Sequence, residues 1–266
     1  MSTQHDIGIS TGAYAGFSLS AALLRIAELA PAVEVVSMGR HSLLEPVNFR
    51  AVELSSLSLS VHGPYAHAEI GHRSERRHRT AMDLHRRHLS VAAELGATIY
   101  VVHPDLRRRS VRWDPKVASV LESSFEEFLE IQKEMGITIV VENMPWSSFS
   151  HFTAPGDLDL RGLGLALDIG HATLTRTLAE WLADPETTLR HLHLHDNFGE
   201  GHLGGDTHLA LGDGIVDPAL AIVKAREAGA SIVLEHGSER AVISSLNYLQ
   251  ARGILFPPVS SSEITP

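Results

Sequence analysis

The sequence contains no cysteine, which excludes disulfide frameworks, thiolate metal sites and cysteine nucleophiles, so any chemistry must come from oxygen and nitrogen ligands. It has no apolar run of about 18 residues, the least a membrane-spanning helix needs. Met1 to Ser10 lacks the charged start and apolar stretch of a secretory leader. A cytoplasmic location, with no membrane partner, is the resulting expectation. Aromatic residues make up only 6%, which leaves little surface for stacking bases. GISTGAY (8–14) has the wrong glycine spacing for a phosphate-binding fingerprint after a first strand, which argues against a nucleotide site there.

What is present is a chain of 266 residues, 44% of them hydrophobic, ample for the core of one large α/β domain. The formal net charge is −10, yet between His72 and Arg112 ten arginines stand against Glu75, Asp83, Glu94 and Asp105. Such a basic region fits either a docking site for an anion such as phosphate or an ordinary solvated helix face. The 17 histidines are many for a chain of this size.

Eight short apolar runs read as strands: 6–11, 32–38, 58–63, 98–104, 138–143, 163–171, 189–196 and 231–236. They are rich in Val, Ile and Leu, as strands buried on both faces should be. Helical periodicity fills the gaps at 19–29, 81–95, 115–135, 218–228 and 239–251, with short or irregular helices expected after the second and fifth strands. This alternation implies parallel strands, and eight units in about 250 residues favour a single (β/α)₈ TIM barrel over an open doubly wound sheet. The barrel is expected to span 1–255, and 256–266 (FPPVSSSEITP) to form a loose tail.

From the third strand onward nearly every run ends in a metal-competent side chain. His62 closes the third, His103 the fourth and Glu142 the fifth. Asp168 and His171 close the sixth, His191, His193, His195 and Asp196 line the seventh, and Glu235 and His236 close the eighth, with Asp206 and His208 in the loop after the seventh. Burying one unpaired carboxylate costs several kcal/mol, so ionisable groups recurring at one end of a barrel need a common partner. A divalent ion is the simplest, and mixed His and carboxylate ligation suits Zn²⁺, Mn²⁺, Co²⁺ or Fe²⁺. Residues 191, 193 and 195 share a strand face but lie at different depths, so all three are not expected to bind one metal.

The motifs VHGPY (61–65), VVHP (101–104), VVEN (140–143), LALDIGHA (165–172), HLHLHDN (191–197), DTHLALGDG (206–214) and VLEHG (233–237) resemble the superfamily that joins endonuclease IV with the xylose isomerase-like sugar isomerases and epimerases. The resemblance implies a core metal on Glu142, Asp168, His193 and Glu235. It also implies a wider set in which Glu142 bridges to an ion on His62 and His103, while His171, Asp206 and His208 hold a third. One core ion, up to three in all, is expected, with zinc, manganese, cobalt or magnesium as candidates. Tyr65 matches an aromatic position that lies near DNA in endonuclease IV.

DIGH, HDN and ENMP look more like the isomerase and epimerase branch, which is preferred here. In that branch Glu142 and Glu235 would act as an acid/base pair beside a metal-stabilised enediolate. Tyr65, His195 and the Arg107, Arg108 and Arg109 run are then candidates for contacting a sugar or sugar phosphate. The alternative is a zinc phosphodiesterase incising abasic DNA, with Arg73 to Arg79 following the backbone. A third is a metal-binding barrel without activity. The sequence leaves substrate, metal identity and oligomeric state open.

Overall fold

The structure, a computed structural model, describes residues 6–105, 113–146, 150–184, 188–199 and 205–255. Each of the eight apolar runs forms a strand: β1 Ile7–Ser10, β2 Ala32–Val36, β3 Ser58–His62, β4 Ile99–Val102, β5 Thr138–Glu142, β6 Gly164–Asp168, β7 Leu189–Leu194 and β8 Ser231–Leu234. Every neighbour pairs in parallel, and β8 pairs with β1 to close the barrel. Around it run α1 Leu19–Ala27, α2 Pro46–Glu53, α3 Glu75–Glu94, α4 Pro115–Met135, α5 Ile169–Leu174, α6 Leu178–Ala183, α7 Ala219–Glu227 and α8 Glu239–Ala251. The tail expected from Phe256 lies outside the described residues. Among those residues no helix is long and apolar enough to cross a membrane.

Helix limits follow local chemistry. Asp114 caps α4 through Lys116 N, Pro115 fills the first helical position, and Gly136 ends the helix with φ 69°, a left-handed turn that glycine adopts without a Cβ penalty. Two expectations shift. Helix α3 begins at Glu75 rather than Ala81, because its first residues are almost all exposed and carry no apolar period to read. The sixth strand ends at Asp168, and His171 sits on α5, whose N-terminus Asp168 caps by accepting from His171 N at 2.7 Å.

The two faces of each strand part company by the period of two. Leu59, Val61, Tyr100, Val102, Ile139, Val141, Leu165, Leu167, Leu192 and Leu194 join the large cluster packed against the helices. The alternate positions face the barrel axis, where the apolar filling is a small group of Ile99, Val101, Val140 and Ala166. A barrel of this type is ordinarily packed with branched aliphatic layers. Here the inward parity also carries Glu34, His62, Glu142, Asp168, His191 and His193, all at most 1% exposed.

Candidate metal centre

The end of the barrel toward which all eight strands run gathers the expected ligands into three contiguous groups: His62, His103 and Glu142; Glu142, Asp168, His193 and Glu235; and His171, His195, Asp206 and His208. Within each group, ligand atoms lie no more than 4.8 Å apart. In the first, His62 Nε2 is 3.1 Å from His103 Nε2 and 3.2 Å from Glu142 Oε2, and His103 Nε2 is 2.9 Å from the same oxygen. In the second, Glu142 Oε1 and Glu235 Oε2 lie 3.4 and 3.1 Å from His193 Nδ1, with Asp168 Oδ2 at 3.9 Å. In the third, Asp206 Oδ2 is 3.1 Å from both His171 Nε2 and His208 Nε2, while His195 Nε2 is 3.0 Å from Asp168 Oδ1.

Two observations show that these residues fit divalent metal. First, buried atoms that converge here, among them Asp168 Oδ2, Glu235 Oε2, His195 Nε2 and Asp206 Oδ1, make no well-aligned hydrogen bond and have only close approaches to other members of the cluster, although unsatisfied buried polar atoms are costly. Second, the rings are oriented for ligation. His62, His171 and His208 each place Nδ1 on a backbone carbonyl, of Gly63, Asn143 and Glu235 respectively, at 2.8–2.9 Å. A carbonyl only accepts, so Nδ1 carries the proton and Nε2 turns its lone pair on the cluster. Ligand atoms about 2.0–2.2 Å from a tetrahedral zinc lie roughly 3.3 Å apart, close to the separations seen.

Burial alone would raise each carboxyl and lower each imidazole. For Glu142, Asp168 and Asp206 the facing histidines outweigh burial and hold the carboxyl below its ordinary range. Burial also opposes protonation of His62, but the hydrogen bond and charge of Glu142 lift it to about 9; for His208, Asp206 and Glu235 prevail and lift it to about 10. His171 and His193 rise well above the usual range for the same reason, whereas at His103 burial wins. A metal entering this cluster must displace protons, so its uptake depends on pH.

Local devices hold the outer group in place. Asp196 accepts four backbone N–H groups, from Asn197, Gly212, Gly214 and Val216, at 2.8–3.0 Å, which anchors the loop carrying Asp206 and His208. His208 itself has φ 45°, a conformation costing a β-carbon residue on the order of 1 kcal/mol and retained where the surroundings impose it. A Cβ at position 170 would fall 2.0 Å from the His195 ring, so the glycine of DIGH makes room for that histidine.

All nine expected ligands are thus brought together, with His195 beside them. Tyr65 stacks on His103, with ring centroids 5.2 Å apart. Arg107, Arg108 and Arg109 lie outside the described residues. The three seventh-strand histidines separate by depth as expected: His195 joins the outer group, His193 the core group, and His191 reaches Glu34 below. His236 instead bonds Ser245 Oγ. In the arginine-rich stretch, Arg73 pairs with the half-buried Asp114, and Arg79 with Glu75 and Arg86 with Glu134 form exposed pairs. The strand-end pattern does not reach Glu34. Its one signal in the sequence is a lone carboxylate in the middle of the apolar run AVEVV.

A family model for the xylose isomerase-like TIM barrel matches residues 49–252. The chain belongs to that family. Uncharacterized protein MJ1614 of Methanocaldococcus jannaschii is 28% identical over 216 residues, which cover 79% of this chain and 84% of that one. Among solved structures of the family's fold, a D-tagatose 3-epimerase-like protein is 25% identical, with coverage of 94% and 98% and a TM-score of 0.78. The TTHB071 protein from Thermus thermophilus, solved after soaking with ZnCl2, is also 25% identical, with coverage of 93% and 97% and a TM-score of 0.71.

Proposed function

We propose that the chain is a divalent-metal-dependent isomerase or epimerase acting on a sugar or sugar phosphate. The observation that carries this reading is the convergence of Glu142 and Glu235, from strands three apart, on the same ring nitrogen of His193 at 3.4 and 3.1 Å. Two carboxylates facing one point can divide the work of a proton transfer, one taking the proton from the carbon beside a carbonyl and the other returning it. Their environments differ as such a division needs: Glu142 is sealed at 1% exposure, while the Glu235 side chain keeps 18%. A divalent ion held by Glu142, Asp168, His193 and Glu235 would supply Lewis-acid polarisation of the substrate's carbonyl and hydroxyl oxygens. Tyr65 forms an exposed apolar wall beside His62 and His103, suited to the C–H face of a sugar, and His195 and the Arg107–Arg109 run remain assigned to substrate contact. The likeness to a D-tagatose 3-epimerase-like protein supports the same class.

The test is solvent exchange. Chain supplied with Mn²⁺, Co²⁺, Zn²⁺ or Mg²⁺ is incubated in D₂O with a panel of free and phosphorylated ketoses and aldoses. Deuterium at the carbon beside the carbonyl, lost in Glu142→Gln and Glu235→Gln, is the expected result. No exchange across the panel rejects the proposal, and a chain that binds sugars equally well with and without these substitutions is the inactive barrel.

The third group favours one second reading. A single-ion epimerase has no evident need of His171, Asp206 and His208 in mutual contact, whereas a three-zinc phosphodiesterase for abasic DNA does. Two to three zincs per chain by elemental analysis, with incision of an abasic duplex that is lost in His208→Ala, would decide for the nuclease.

A further inference from the structure

Most histidines of the centre are oriented from outside, by backbone carbonyls at the rim. His193 cannot be. It projects into the barrel from β7, one residue before the strand's end, where the strand carbonyls are committed to the parallel ladders on either side. Its second nitrogen instead faces Glu34 of β2: Nε2 lies 3.3 Å from Oε2 and 3.2 Å from Oε1. Glu34 is fully buried, and its carboxylate also takes His191 Nε2 at 2.8 Å, while His191 Nδ1 meets Ser231 Oγ at 2.5 Å. A chain of contacts thus runs along the barrel axis from Ser231 through His191 and Glu34 to His193, and ends at Glu142 and Glu235.

We infer that Glu34 is the positioning residue of the core metal site: it takes the Nε2 proton of His193 and so commits the lone pair at Nδ1 to the group formed by Glu142, Asp168 and Glu235. The chemistry leaves little choice. A neutral imidazole has one N–H and one lone pair, and an ionised carboxylate can only accept. With Nε2 turned to Glu34, the lone pair must face the opposite group. Were Nε2 the free lone pair, His193 would point it at a buried anion and offer an N–H where a ligand is needed.

A second metal held by Glu34, His191 and His193 is the competing account, and it fails because His193 cannot offer a lone pair on both sides as a neutral ring. Ser231 and His191 complete the arrangement by accounting for both nitrogens of His191 and holding the Glu34 carboxylate on the barrel axis. Loss of such an outer partner typically weakens metal binding about 10- to 100-fold.

The inference rests on the metal-dependent reading of the centre, and its test separates the two. Zinc affinity is measured on the full chain by competition with a chromophoric chelator, and the cobalt-loaded visible spectrum is recorded, for wild type, Glu34→Gln and Glu34→Leu. Melting of each metal-free protein serves as the check on folding. The isosteric Glu34→Gln keeps an acceptor but loses the charge and should weaken zinc about 10-fold; Glu34→Leu, which removes the acceptor, should weaken it about 100-fold and alter the cobalt spectrum. Should Glu34→Leu fail to fold, Glu34→Gln decides alone. Affinities within about twofold of wild type with an unchanged spectrum overturn the role of Glu34. A wild-type chain that takes up neither zinc nor cobalt instead overturns the metal reading itself, and this role with it.

Discussion

Two sets of buried histidines in this barrel, one at the mouth and one in the outer layer, behave oppositely. At the mouth, His62 and His208 face carboxylates, which outweigh burial and lift them to about 9 and 10. In the layer between strands and helices, His85 bonds Tyr100 Oη and Ala68 O, and His88 bonds Ser37 Oγ. With neutral partners, burial dominates and both fall to about 4. His236, turned away from the centre onto Ser245, is lowered to about 3 by the same cause. Partners weighed against burial therefore set the charge of a buried histidine. Facing carboxylates hold the proton on His62 and His208, hydroxyls and carbonyls leave His85, His88 and His236 neutral, and at His103 burial still prevails over Glu142.

The comparison can be broken most forcefully at the mouth. Glu142→Gln should cut solvent-exchange turnover by about 10²- to 10⁴-fold and lower metal content, because it removes charge from two of the three groups at once. Wild-type turnover in that variant would dissolve the distinction. Next in size is metal removal. An ion present at about 1,000 times its dissociation constant stabilises the fold by about 4 kcal/mol, so chelation should lower the melting temperature by about 10 °C for a domain of this size. His85→Leu tests the other region. Leaving the Tyr100 hydroxyl buried without its partner should cost about 1–3 kcal/mol, while zinc stoichiometry by elemental analysis stays at the wild-type value.

A finer test uses pH on the metal-free protein. The layer histidines have folded values below their unfolded value near 6.5, so the unfolded state binds more protons and stability falls as pH drops from about 6.5 toward 4. His62 and His208 have raised folded values. Their contribution is complete below about 6.5 and is lost as pH climbs through about 9 and 10. Melting temperatures of chelated protein should therefore peak near pH 6.5 and decline on both sides. Substituting His85 should flatten the acid limb alone. Smallest of all, Arg86→Ala removes an exposed pair with Glu134 and should change stability by less than about 1 kcal/mol, with no effect on metal content.

Much of this is legible in the sequence because it is periodic. Val140 and Glu142 share one parity and Ile139 and Val141 the other, so TIVVEN announces both a strand and a ligand at its end. Pro115 and Gly136 bracket α4 with recognisable punctuation. Other features hinge on contacts between distant segments. Glu34 reads as a blemish in an apolar run until His191 and His193, brought alongside by barrel closure, explain it. Asp196 reads as one more metal-competent side chain in HLHLHDN, and only the returning loop shows it accepting four backbone N–H groups. His171 reads as part of a strand because apolar LGLALDIGH gives no hint that Asp168 turns the chain into a helix. The arginine-rich stretch admits two readings, and the exposed pairs of Arg79 with Glu75 and Arg86 with Glu134 on α3 match the solvated helix face for that helix, while Arg107, Arg108, Arg109 and Arg112 lie outside the described residues.

The two faces of each strand carry a consequence for how the site could change over time. On β7 the axial face (His191, His193) and the greasy face (Leu192, Leu194) are interleaved residue by residue. A slip of one residue would exchange them, sending imidazoles into the helix layer and leucines toward the axis. Misalignment of the axial side chains is thus coupled to collapse of the outer packing, so an insertion or deletion inside a strand is eliminated as a folding failure before it can give rise to a badly aligned site. Loops are free of that linkage, and it is there that new specificities can be tried without disturbing the alignment beneath.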